Sequence, residues 1–100
     1  MAEPLTDDAI QTALGDLPGW GYAEDRLSKT FGFGGFGEAM SFIVRVGFEA
    51  EAANHHPELR NVYSKVEVLL ATHDAGGKVT QKDIDLARTI EELNWIPDKD

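Results

Sequence analysis

Apolar residues along the chain switch between the periods of helices and strands, and each switch marks an element boundary. Leu5 and Ile10 flank Thr6-Asp7-Asp8-Ala9. Thr6 suits a helix cap, the two aspartates suit the positive end of the dipole, and Leu5 and Ile10 stand at hydrophobic-staple spacing. A first helix is expected to begin at Thr6 and end between Gly15 and Pro18. Trp20 and Tyr22 then alternate, Glu24-Asp25 supplies turn residues, and Leu27, Lys29, Phe31 and Phe33 alternate again, which predicts a β-hairpin. Glycines at 32, 34, 35 and 37 keep the next helix from starting earlier. Beyond them Phe36, Met40, Ile43, Gly47, Ala50 and Ala53 recur at spacings of three and four. This set predicts the buried stripe of a long amphipathic helix from about Phe36 to Asn54, with Pro57 unable to continue it.

Two short extended segments follow, Leu59 to Val62 and Lys65 to Thr72, the second with Val66, Val68 and Leu70 at period two. Asp74-Ala75-Gly76-Gly77 is turn chemistry, and a last helix capped by Thr80 is expected to bury Ile84, Ala87, Ile90 and Leu93. Helix, hairpin, helix, hairpin, helix is an α+β pattern: an antiparallel sheet with helices packed on one face. No repeat, linker or low-complexity tract interrupts it, so residues 1–100 read as one domain, with 97–100 as a frayed tail.

Composition narrows the function classes. A hydrophobic content of 42% supports a real core, but a chain of 100 residues buries only somewhat over ~60% of its unfolded surface. Self-association is a natural reinforcement, and the sheet has edges to cover, so a homodimer or homotetramer is expected. Nine basic against 18 acidic residues give a formal charge of -9, which repels phosphate backbones and anionic lipid. Nucleic-acid binding is disfavoured. No stretch approaches the ~18 apolar residues of a membrane span, and the first residues lack a signal-peptide pattern. The absence of cysteine excludes disulfides, thiolate zinc sites and cysteine nucleophiles, and fits a reducing compartment, so a cytoplasmic location is expected.

Three histidines carry the candidate chemistry. His55 and His56 are adjacent at the end of the long helix, and His73 ends the last strand. Element ends are where scaffolds present reactive groups, and histidine gives or takes protons near neutrality. The plainer alternative is a helix-terminal His55 beside two ordinary surface histidines. Glu51 precedes His55 by four residues, so on a helix it would stack on and orient that imidazole, or else form an exposed helix pair. Asp83 stands at capping-box spacing from Thr80, so its carboxylate can bond back to the Thr80 backbone, support a histidine, or do both. Trp20 suits either stacking on a flat heterocycle or the core, and Tyr63 fits a tight turn. The glycine-rich 32–37 segment lacks both the dinucleotide fingerprint and a P-loop lysine and reads as a loop. A zinc site is disfavoured because the helical HExxH arrangement is missing and the adjacent His55 and His56 are awkward joint ligands.

Glu51-Ala52-Ala53-Asn54-His55-His56-Pro57, then Tyr63, His73 and Asp83, is similar to the signature of the pterin-4a-carbinolamine dehydratases. Gly19-Trp20, Asn61-Val62-Tyr63-Ser64-Lys65-Val66, Thr72-His73-Asp74-Ala75-Gly76-Gly77 and Asp83-Ile84-Asp85-Leu86-Ala87 extend the likeness from about Leu5 to Leu93. Two glycines follow Ala75 where some relatives have one, Asn54 stands where others have Asp, and Asn94 to Asp100 has no counterpart. The resemblance implies a four-stranded antiparallel sheet, homodimers or tetramers, and a pocket of His55, His56 and His73. It further implies that Asp83 supports one histidine and that Trp20, Glu51, Asn54 and Pro57 line or brace a pterin site, with no cofactor and no metal. Members of the family recycle the pterin used by aromatic amino acid hydroxylases. Some animal members also serve as dimerisation cofactors of a nuclear transcription factor, a partner not carried over to this chain. The competing readings are a non-enzymatic interaction module of the same fold, a metal-dependent hydrolase, and a dehydratase acting on a different pterin.

Overall fold

The computed structural model describes residues 3–93, so the tail expected at 97–100 lies outside the described residues. Its elements run α1 (Asp7–Leu14), β1 (Gly21–Ala23), β2 (Arg26–Gly32), α2 (Phe36–Ala53), β3 (Glu58–Val62), β4 (Lys65–Leu70), a short 3₁₀ turn (His73–Ala75) and α3 (Gln81–Leu93). The four strands form one antiparallel sheet in the order β1-β2-β4-β3, an α+β architecture with the two hairpins joined through β2 and β4. Strand β4 ends at Leu70, so His73 opens the 3₁₀ turn rather than ending the strand as expected, and Thr72 pairs only through an isolated bridge to Lys78.

Local chemistry accounts for the boundaries. The Thr6 hydroxyl accepts from the Ala9 amide and caps α1, while Leu5 and Ile10 both join the core. In the β1–β2 turn Glu24 and Asp25 both have positive φ (53° and 65°), the backbone of a two-residue hairpin turn whose twist matches its strands. One sheet face contributes Leu27 and Phe31 from β2 and Val66, Val68 and Leu70 from β4. Against it pack Phe42 and Val46 of α2, Ile84, Ala87 and Ile90 of α3 and Ile10 of α1. The Phe31 and Phe42 rings lie 4.8 Å apart at their centroids. Each fully buried side chain of this size contributes on the order of 1.5–3 kcal/mol.

The buried stripe of α2 differs from the expected one. Ala39, Phe42, Val46 and Ala50 face the core, whereas Phe36, Gly47 and Ala53 of the expected set are exposed. Two apolar stripes run along this helix at equally good helical spacing, and Ala50 belongs to both. Val44 and Phe48 belong to neither stripe and lie on the surface, at 56% and 73% exposure. Among the described residues no helix is long and apolar enough to cross a membrane. For the site, the consequence of the fold is that α2 packs on α3, which sets the end of α2 beside the start of α3 and the loop after β4.

Candidate active site

The end of α2 is built to send two consecutive histidines in different directions. Asn54 adopts the left-handed conformation (φ 52°, ψ 43°), which asparagine tolerates better than most residues. Its amide donates to the Glu51 carbonyl, and the His55 amide donates to the Ala50 carbonyl, a Schellman termination. Beyond this reversal His55 turns inward and is 8% exposed, while His56 stays on the surface.

His55 meets Asp83, with Nε2 2.6 Å from Oδ1. Asp83 is fully buried and accepts through its other oxygen from the Thr80 amide (2.8 Å) and the Thr72 hydroxyl (2.7 Å). The Thr80 and Thr72 hydroxyls lie 2.7 Å apart, and Thr80 Oγ1 accepts from the Lys82 amide at 3.2 Å. Asp83 therefore does both things its spacing allowed. It closes the capping interaction at the start of α3 and holds an imidazole, and three donors compensate a carboxylate that water cannot reach.

Of the two readings open for Glu51, stacking on His55 or an exposed pair, the structure shows an exposed pair, made with His56 rather than His55. Glu51 Oε1 lies 3.0 Å from His56 Nε2, with both side chains largely exposed. The left-handed Asn54 ends the helical register one residue before His55, so the four-residue stacking rule no longer applies.

Two adjoining cavities share His56, Ala71 and His73. One, of about 230 Å³, is also lined by Asn54, His55, Thr72, Asp74 and Lys82. The other, of about 240 Å³, adds Arg26, Glu58, Leu69 and Gly77. A larger cavity of about 360 Å³ between α2 and α3 meets only His55 of the three histidines. The three imidazoles thus line one continuous recess at the junction of α2, β4 and α3, which can present both a proton donor and a proton acceptor to one ligand. Among the described residues no group of three or more His, Asp or Glu side chains is placed to hold a metal ion.

Asn54 joins this recess, but Trp20, Glu51 and Pro57 line neither of its two cavities. Trp20 is a core residue: its indole Nε1 donates to Glu91 Oε2 at 2.8 Å, and Lys29 Nζ donates to the same oxygen. Glu91 lies eight residues beyond Asp83 on α3, about 12 Å along the helix axis. Tyr63, at positive φ in the β3–β4 turn, sits at the opposite end of that hairpin from His56. Sequence reasoning missed Thr72, Lys82, Arg26 and Glu58. Thr72 was hidden as an apparent strand residue, although its place beside His73 was a usable signal. Arg26 reaches the recess bonded to Glu58 at 2.9 Å, a cross-strand pairing with no local signature.

Comparisons with known proteins place the chain in a family. Residues 3–93 match the family model described as pterin 4 alpha carbinolamine dehydratase. The chain is 61% identical over 96 residues to a protein of Opitutus terrae provisionally named a pterin-4-alpha-carbinolamine dehydratase, an alignment covering 96% of this chain and 99% of the relative. A Rhodopseudomonas palustris protein with the same provisional name is 53% identical over 95 residues, covering 93% of each chain. The crystal structure of a transcriptional coactivator/pterin dehydratase from Brucella melitensis superposes with a TM-score of 0.85 at 35% identity, covering 90% of this chain and 97% of that one. With its full described length matched and its fold shared, this chain belongs to the pterin-4-alpha-carbinolamine dehydratase family.

Proposed function

We propose that the protein removes water from a 4a-hydroxytetrahydropterin by histidine acid–base catalysis, within tetrahydropterin recycling. The observation that carries this reading is the single recess onto which His55, His56 and His73 all open, with His55 held from behind by the buried Asp83. In the carbinolamine the bond between C4a and its hydroxyl oxygen breaks as the adjacent ring nitrogen contributes its lone pair. One imidazolium protonates the departing oxygen, which leaves as water, and a second, neutral imidazole accepts the N–H proton. The product is a quinonoid dihydropterin, and the two proton transfers balance. Because acid and base suffice, chelator treatment is expected to leave the rate unchanged. Asn54 and Lys82 are polar groups at the rim available to the pterin ring.

The test is stopped-flow dehydration of enzymatically generated 4a-hydroxytetrahydropterin with and without the protein. Acceleration is expected, and an unchanged decay overturns the reading. Repeating it with pterins of different side chains decides whether a biopterin is the preferred substrate.

The exposed Val44 and Phe48 of α2, together with the two sheet edges β1 and β3, support a homodimer or homotetramer, which sedimentation at micromolar concentration checks. The same apolar surface favours a second reading, an interaction module, since the Brucella structure is described as a coactivator as well as a dehydratase. An inactive protein that still self-associates is the result expected from that alternative.

A further inference from the structure

We propose that Thr72 and Thr80 are positioning residues for this reaction: their hydroxyls form a one-way hydrogen-bond chain that holds Asp83 as an acceptor, fixes a proton on Nε2 of His55, and leaves Nδ1 as the nitrogen that exchanges protons with substrate. The inference rests on the dehydratase reading for its catalytic consequence, while the proton assignment rests on the hydrogen-bond geometry around Asp83 as an acceptor.

The direction of the chain is set where it meets Asp83. The Thr72 hydroxyl has one hydrogen and gives it to Asp83, so Thr72 Oγ1 accepts from the Thr80 hydroxyl at 2.7 Å, while Thr80 Oγ1 accepts from the Lys82 amide at 3.2 Å. Thr72 meets Asp83 Oδ2 at 2.7 Å, and the Thr80 amide, a donor only, meets the same oxygen at 2.8 Å. Reversing the chain would aim the lone pairs of Thr72 at those of the carboxylate, or require a proton on the oxygen that already faces the Thr80 amide. With Oδ2 accepting from both the Thr72 hydroxyl and the Thr80 amide, Asp83 is placed as an acceptor, and Oδ1 accepts from His55 Nε2 at 2.6 Å. Nε2 then carries a hydrogen in both the neutral and the charged ring, and every proton gained or lost by His55 moves at Nδ1.

These contacts are shielded from bulk water, since Thr72, Thr80 and Asp83 are 2%, 0% and 0% exposed. Thr72 is pinned by its backbone as well. Its amide donates to the Lys78 carbonyl at 2.8 Å, and its carbonyl accepts from the Ala75 and Gly77 amides. The same residue therefore fixes the 3₁₀ turn that carries His73 and, through Asp83, the orientation of His55.

The test uses protein labelled with ¹⁵N at histidine, read by long-range ¹H–¹⁵N correlation at a pH where the rings are neutral, alongside steady-state dehydration kinetics. The parent and Thr72→Ser are expected to carry the His55 proton on Nε2. Thr72→Val keeps the shape and loses the hydroxyl. It is expected to move part of the His55 population to the Nδ1–H tautomer and to lower kcat about tenfold, with KM changed much less. Serine is expected to restore both readouts, which a merely structural effect would not do. A parent spectrum with the proton on Nδ1 overturns the proposal, and this spectrum decides even if Thr72→Val fails to fold. For folded Thr72→Val, either a kcat loss with an unchanged His55 spectrum or a shifted spectrum at parental kcat also overturns it. A parent that does not dehydrate the carbinolamine sinks the dehydratase reading instead, while its spectrum still tests the proton assignment.

Discussion

The His55–Asp83 and His56–Glu51 pairs join the same two functional groups within a few residues of each other, in opposite surroundings. In the first the side chains are 10% and 0% exposed and the contact is 2.6 Å; in the second they are 61% and 81% exposed and 3.0 Å apart. Burial removes water as a competing partner, so Asp83 needs every donor that surrounds it, and losing any one is costly. Exposure lets water replace Glu51 at little cost and leaves His56 free to turn towards a ligand. The difference suggests a division of labour in which one imidazole is held fixed and the other adjusts.

The largest contrast is expected from the carboxylates. Asp83→Ala leaves an imidazole, a hydroxyl and a cap amide without their acceptor, and urea unfolding should show a loss of about 3–5 kcal/mol. Glu51→Ala should stay within roughly 0.2–1 kcal/mol of the parent. Equal losses would break the distinction between the two pairs.

A smaller effect is expected at the residue that separates the two histidines. Asn54→Ala forces a side chain with a Cβ and no local hydrogen bond into the left-handed region, at about 1–2 kcal/mol. Asn54→Gly should be near neutral in stability. Both are read by the same unfolding assay, and an alanine variant as stable as the glycine variant would show that the reversal is not under this constraint.

The smallest effect concerns Lys78, whose hydrogen bond to Asp25, with that carboxylate's charge, raises it above its ordinary 10.5. The folded chain keeps this proton where the unfolded chain releases it, so the contribution is complete below about 10.5 and lost as pH rises through the folded value. The stability difference between the parent and Asp25→Asn should be flat from about pH 7 to 9 and shrink above 10.5.

Period and punctuation made most of the fold legible. The Thr6 cap, the Glu24-Asp25 turn and the extent of α2 all follow from local chemistry. What local rules could not decide was which of two apolar stripes on α2 meets the sheet, because both keep spacings of three and four and share Ala50, and only packing separates them. Within the site, the histidines and Asp83 stood out by residue type and spacing. The partner of Glu51 did not, because a single left-handed residue ends the helical register. Thr72 stayed hidden because its role depends on contacts eight and eleven residues away that only the folded chain creates. Trp20 carried no local sign of its Glu91 partner, 71 residues distant.

The most direct test of the central claim is the dehydration rate of folded His55→Ala, His56→Ala and His73→Ala, with circular dichroism confirming each fold. The account predicts losses of roughly 10²- to 10⁴-fold where neighbours do not cover for the missing ring, and a greater loss in any double variant. Parental rates in all three single variants would contradict it.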